Sequence, residues 1–380
     1  MRTITGIERV DEFLNLFTNK RVGLITNPTG IDTKFKTSID ILMEKTNLVS
    51  LFSPEHGIRG NLQAGVHLET YVDEKTNATV FSLYGKTRKP TQEMMDTIDV
   101  LAMDIQEIGS RFYTYIYTMA YSMMACKEFD KEFVIFDRPG PIGTKDCEGN
   151  ILDVEYRSFV GYYPMLQRYG LTIGELAKMF NEEFEIGCKL HVVPVKNYTR
   201  DMTYLDTKLP WVAPSPNIPT LEAAYAYNGT CIFEGTNLSE GRGTTKPFEV
   251  VGAPWIDGFE YAEALNKLNL PAVRFRPFFF TPMFSKNEKQ LCGGVQLHIS
   301  DFNAFKPVKT GWAMLKIVRD LYPNDFKILD PYVPGRPCML DYNTGGDFIR
   351  KDLYNLPELF EILEKDTKEF SKTRTKYFIY

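Results

Sequence analysis

Short apolar runs that stop on polar, Pro- and Gly-rich motifs recur along the first half of this chain, alternating with helical patterns. Residues 21–26 (RVGLIT) stop at Asn27-Pro28-Thr29-Gly30, and residues 47–52 (NLVSLF) stop at Ser53-Pro54-Glu55-His56-Gly57. Residues 80–84, 98–104, 133–137 and 190–195 continue the series. Between them, residues 35–45, 91–97, 113–129 and 171–184 have helical spacing, the last with Thr172 and Glu175 placed as a capping box. Continuous apolar character suits strands covered on both faces. The reading is an α/β fold, a doubly wound, mostly parallel sheet of Rossmann type, whose ligands lie outside the carboxyl ends of the strands. The polar motifs fall at those ends.

Beyond residue 208 the pattern changes. Residues 209–255 are crowded with Pro, Gly, Thr and Asn, yet Trp211, Cys231, Ile232, Phe233 and Trp255 call for burial. A long segment of this kind reads as ordered and site-forming. Residues 259–267, 310–322 and 356–364 then have helical spacing, and residues 273–280 and 294–299 have strand character. Two units are expected: residues 1–245 as the sheet domain, and residues 246–380 as a smaller α+β domain closing a cleft.

Composition excludes several function classes. Forty-four basic against forty-nine acidic side chains leave a net charge of −5, which does not suit a general nucleic-acid binder. No stretch approaches the ~18 apolar residues of a membrane span. The amino terminus, MRTITG, has no apolar signal core, so a cytoplasmic place is expected unless an export segment has been removed. The six cysteines are scattered without a CxxC pair and read as buried free thiols. There is no GxGxxG, P-loop, GxSxG or HExxH motif, and the four histidines, His56, His67, His191 and His298, would nearly all be needed for one metal site. No cofactor and no metal are expected.

Carboxylates remain. Glu55 lies at the mouth of a buried strand, Glu148 in the Gly-rich loop GPIGTKDCEGN, and Glu234 and Glu240 bracket EGTNLSE. Each lies in a Gly-containing segment that permits close approach of a ligand. Two carboxylates without a metal suit glycoside hydrolysis, in which one protonates the leaving oxygen and the other attacks or activates water. Tyr113, Tyr115, Trp211 and Trp255 are candidate faces for a sugar ring. Arg111, Arg138 and Arg242 are candidate clamps for a ligand carboxylate. Asp104 is a strand-end carboxylate, and Asp137 beside Arg138 reads as a structural ion pair.

The strings GLITNPTGID, LFSPEHGIRG, SLYGKTRKPT, DIQEIGSRFYTYIYTM, FDRPGPIG, LPWVAPSPNIPT, CIFEGTNLSEGRGTTKPFEVVGAPW and RPFFFTPMFSK span essentially the whole chain. Together they resemble a bacterial family once classed as a domain of unknown function, the NamZ-like exo-β-N-acetylmuramidases. The resemblance implies a Rossmann-like domain plus a smaller one, an active site in the cleft between them, and a pair of catalytic glutamates. It implies a peptidoglycan fragment as partner, with N-acetylmuramic acid released from its non-reducing end. Carried onto this chain, Glu55 is the first catalytic candidate and Glu148 the second, with Glu234 and Glu240 behind it. His56, Asp104, Arg111, Tyr113, Arg138, Asn217, Glu234, Asn237, Glu240 and Arg242 are the substrate-binding candidates. Arg111 or Arg242 is expected to hold the lactyl carboxylate that separates muramic acid from glucosamine. The loop at Gly140, Thr144, Cys147 and Asn150 departs from the family string DRPNPIGG-x-x-VEGP, which bears on fine substrate preference.

Overall fold

A computed structural model describes residues 1–60 and 69–380; His67 lies outside the described residues. Seven strands form the larger sheet: β1 (Arg21–Thr26), β2 (Asn47–Ser53), β3 (Tyr71–Val72), β4 (Thr79–Ser82), β5 (Val100–Asp104), β6 (Glu132–Phe136) and β7 (Lys189–Val193). Their order is β3-β4-β2-β1-β5-β6-β7, all parallel except the two-residue edge strand β3. The doubly wound expectation holds, and the chain reverses direction across the sheet between β1 and β5.

Alternate residues of each central strand enter opposite cores, as strand geometry requires. Val100, Ala102, Val134 and Phe136 face a layer made by the 3₁₀ helix Ile7–Leu16 and the helix Ser38–Lys45. Leu101, Met103, Phe133 and Ile135 face the helices Tyr115–Glu128 and Ile173–Glu183. Thr172 and Glu175 form the expected capping box. This second core runs without a break into the smaller unit, through Tyr227, Trp312 and Leu340.

The smaller unit is built on three antiparallel strands, β8 (Val250–Ala253), β9 (Val273–Phe280) and β10 (Cys292–Ile299), in the order β8-β10-β9. The helix Gly258–Lys267 packs on β9 and β10, Pro307–Leu321 packs on that helix, and Leu356–Arg374 packs on Pro307–Leu321. All six cysteines are buried and unbridged. No helix among the described residues is long and apolar enough to cross a membrane.

The helix Leu221–Thr230 escapes the sequence reading because it is buried on nearly every side and so shows no amphipathic stripe. It crosses Pro307–Leu321 so closely that a Cβ on Gly311 would collide with the Gly229 carbonyl oxygen, and one on Gly229 with that of Pro307. Gly311→Ala is therefore expected to lower stability by about 1–3 kcal/mol, the usual range for overpacking, read as a fall in the denaturant midpoint.

Candidate active site

Glu55 is delivered by the turn after β2. The chain reverses directly behind it, because His56 (φ 72°) and Gly57 (φ 82°) both adopt left-handed backbone. For a buried histidine this conformation is uncommon, and such strain collects at functional sites. The Thr114 hydroxyl donates to Glu55 Oε2 at 2.7 Å. The Tyr84 hydroxyl, from the turn after β4, bonds the same carboxyl, and burial together with this charge raises the Tyr84 pKa.

A chain of rings leads from Glu55 into the smaller unit. Tyr113 and Tyr115 both lie within the field of the Glu55 charge, with ring centroids 4.9 Å apart. Tyr115 donates to the Pro214 carbonyl at 2.7 Å, in the segment that carries the buried candidate Asn217 three residues on, and Ser215 of the same turn lies beside the Tyr113 hydroxyl. Tyr113 meets Tyr227 edge-on at 5.9 Å, and Tyr227 meets Phe248 at 4.7 Å. The Arg242 guanidinium lies 5.1 Å over Phe248 and pairs with Glu234 (2.6 Å) and Glu240 (3.3 Å). Lys286 holds Glu240 from the other side at 2.7 Å. Arg242 and Lys286 are thus already shared by two glutamates.

Glu249 is a carboxylate that the sequence reading passed over. It is buried, accepting from the Thr220 hydroxyl at 3.2 Å and from Lys246 at 2.9 Å. It stands next to Phe248 in the ring chain, and Thr220 caps the helix that carries Tyr227. The available signal was its place in KPFE, directly after the Gly-rich run EGRGTT.

Other candidates are placed elsewhere. Glu148 is buried at the start of the helix Pro307–Leu321, where its Oε1 accepts the Lys309 N–H at 2.7 Å; burial raises its pKa. It has no partner in common with Glu55 among the described residues. Arg111 is fully buried and donates to three carbonyls, of Asn150 (3.0 Å), Met165 (2.6 Å) and Asn343 (3.0 Å), so it is not available to clamp a ligand. Burial without a carboxylate partner lowers its pKa to about 10. Asn237 joins loops instead of facing the ring chain: its side chain donates to the Asp325 carbonyl at 2.9 Å and accepts from Lys327 N at 3.0 Å. Tyr115 is core rather than a sugar platform.

Asp104 and Arg138 form a closed, buried, bidentate pair at 2.6 and 2.8 Å, with Ser38 donating to the same carboxylate. The expected Asp137–Arg138 side-chain pair does not form. Asp137 instead accepts from Thr172, Gly174, Tyr380 and the Arg138 backbone. Arg138, Gln106 and Tyr204 line a small open pocket beside Thr29 and Ile31, near the ends of β1 and β5. Glu55 stands one strand away, at the end of β2.

Two family models match the chain, one after the other. Residues 22–222 match the N-terminal model of exo-β-N-acetylmuramidase NamZ, and residues 225–380 match the C-terminal one. The chain belongs to the NamZ family. It is 50% identical over 382 residues to the peptidoglycan β-N-acetylmuramidase NamZ of Bacillus subtilis (strain 168), covering 99% of this chain and 91% of that protein. Two crystal structures of DUF1343 family proteins from Bacteroides fragilis NCTC 9343 share the fold. One has a TM-score of 0.91 at 40% identity, the other 0.79 at 33%, and each alignment covers 100% of this chain and 99% of the other. This NamZ family member is accordingly a glycoside hydrolase.

Two buried carboxyls outside the ring chain set a pH dependence. Burial raises Glu107, bonded by Tyr169 and Gly109, to about 7, and likewise raises Asp137 to about 7, in each case against the hydrogen bonds that pull it down. Unfolded, they would titrate near 4.5 and 3.8. Between those values and about 7 the folded chain binds more protons, so stability falls as pH rises through that window. Chemical denaturation is expected to show a loss on the order of 5 kcal/mol from pH ~5 to ~7.5, about half from each group, with Glu107→Gln removing the Glu107 share.

Proposed function

We propose that this chain is an exo-acting β-N-acetylmuramidase that releases N-acetylmuramic acid from the non-reducing end of peptidoglycan fragments by a metal-independent, two-carboxylate mechanism. The observation that carries the reading is Glu55: a carboxylate at a strand end, held by two hydroxyls and joined by edge-on rings to the Arg242–Glu234–Glu240 cluster in a NamZ family member. Among the described residues no three His, Cys, Asp or Glu side chains are grouped to hold a metal ion. In this reading Glu55 is one catalytic carboxylate and Glu249 the other. Glu240 faces two cations and Glu234 faces Arg242 at 2.6 Å, whereas Glu249 has one lysine and one hydroxyl. Glu148 has a structural role at its helix start.

Arg242, the one of the two expected clamps with exposed surface, would receive the lactyl carboxylate in exchange for part of its pairing with Glu234. The substrate would be a small fragment such as N-acetylmuramyl-N-acetylglucosamine.

Release of muramic acid from that disaccharide, followed by chromatography, tests the reading. Glu55→Gln and Glu249→Gln are each expected to cut turnover by about 10²- to 10⁴-fold, the usual range for losing an acid or base. Glu148→Gln is expected to leave turnover near wild type and to change thermal stability. Near-native turnover of Glu55→Gln would remove Glu55 from the mechanism. Arg242→Ala is expected to lower the preference for an aryl N-acetylmuramide over the matching glucosaminide by about 10-fold or more, since the site is built around a charge partner. An unchanged preference would sink the clamp.

A further inference from the structure

Threonine is the recurrent residue at helix starts in this chain. Thr37, Thr91, Thr172, Thr203 and Thr220 each accept an N–H of their own helix through the side-chain oxygen. Thr114 holds the same position before Tyr115–Glu128 and makes no such bond. Its hydroxyl points away from the helix it begins and donates to Glu55 Oε2. Tyr84 reaches the same carboxyl from a separate element, the turn after β4. Two hydroxyls from separate elements thus converge on one carboxyl, and one of them does so in place of its ordinary capping bond.

We infer that Thr114 and Tyr84 are positioning residues that commit Glu55 to the accepting role, as nucleophile or general base, and leave the acid role to the second carboxylate. The inference rests on the muramidase reading above. A general acid must present its own proton to the leaving oxygen, whereas a group met by donors presents lone pairs. Hydrogen bonds donated to a carboxylate stabilise that form, and the start of a 14-residue helix favours a negative charge nearby. With Oε2 held by Thr114, the carboxyl keeps one orientation between turnovers.

Thr114→Val, Thr114→Ser and Tyr84→Phe, assayed on N-acetylmuramyl-N-acetylglucosamine across pH, test this. Thr114→Val and Tyr84→Phe are each expected to lower kcat roughly 10- to 100-fold with KM within about twofold, the pattern of a misplaced reacting group. The acidic limb of kcat/KM should move to higher pH, because a base that loses its donors takes up a proton more readily. Thr114→Ser keeps the hydroxyl and should restore rate and limb together. Thermal melting should barely change in Thr114→Val, since no cap is removed; if that variant fails to fold, Tyr84→Phe carries the test. Movement of the alkaline limb instead would make Glu55 the acid and overturn the inference. Unmoved limbs, with rate and stability lost together, would overturn it by reducing both hydroxyls to structural parts. A wild-type chain that releases no muramic acid overturns the functional reading and this inference with it.

Discussion

Arg111 is the tie on which the arrangement of the two units depends. A guanidinium sealed from water, with no carboxylate beside it, must find carbonyls, and it finds them on three segments far apart in sequence. Asn150 and Met165 belong to the loops over the large sheet, and Asn343 to a helix of the smaller unit. Removing the side chain would leave the Asn150 and Asn343 carbonyls unpaired, each costing about 1–3 kcal/mol, while the Met165 carbonyl would keep the Leu152 N–H. Arg374 repeats the device from the last long helix, donating to Thr144, Lys145 and Gly170. Backbone carbonyls bind arginine without adding charge, so both clamps avoid a second buried ion.

With the units fixed in this way, the ring chain from Tyr113 through Tyr227 to Phe248 becomes continuous core. Glu55 on the sheet side and Arg242 on the other thus stand at the two ends of one packed layer. Thr114 shows the cost of building the site there. A threonine at a helix start normally contributes about 0.5–2 kcal/mol by capping, and this one makes its bond to Glu55 instead. The left-handed His56 behind Glu55 is a second departure from local preference in the same turn.

The sheet domain was largely legible from the chain. Buried parallel strands carry continuous apolar runs, and six of the seven strands of the larger sheet announced themselves in that way; the two-residue β3 is too short to leave a pattern. The helix Leu221–Thr230 was hidden for the opposite reason, since full burial erases the stripe by which helices are recognised. Among site candidates, spacing and glycine neighbours singled out Glu55 and Glu148 alike. One meets two hydroxyls at a strand end, whereas the other meets the N–H of Lys309 at a helix start.

The sequence by itself determined the doubly wound class, the polar strand ends, the buried thiols and the family, because these follow from local periodicity and from long strings in order. Only the tertiary structure decided which charged groups are already satisfied by the fold. Arg111 is occupied by carbonyls and Arg138 by Asp104, while Asn237 joins loops and Glu249 stands beside Phe248. A charged side chain takes its role from the partners that packing brings to it, and those partners lie tens to hundreds of residues away along the chain.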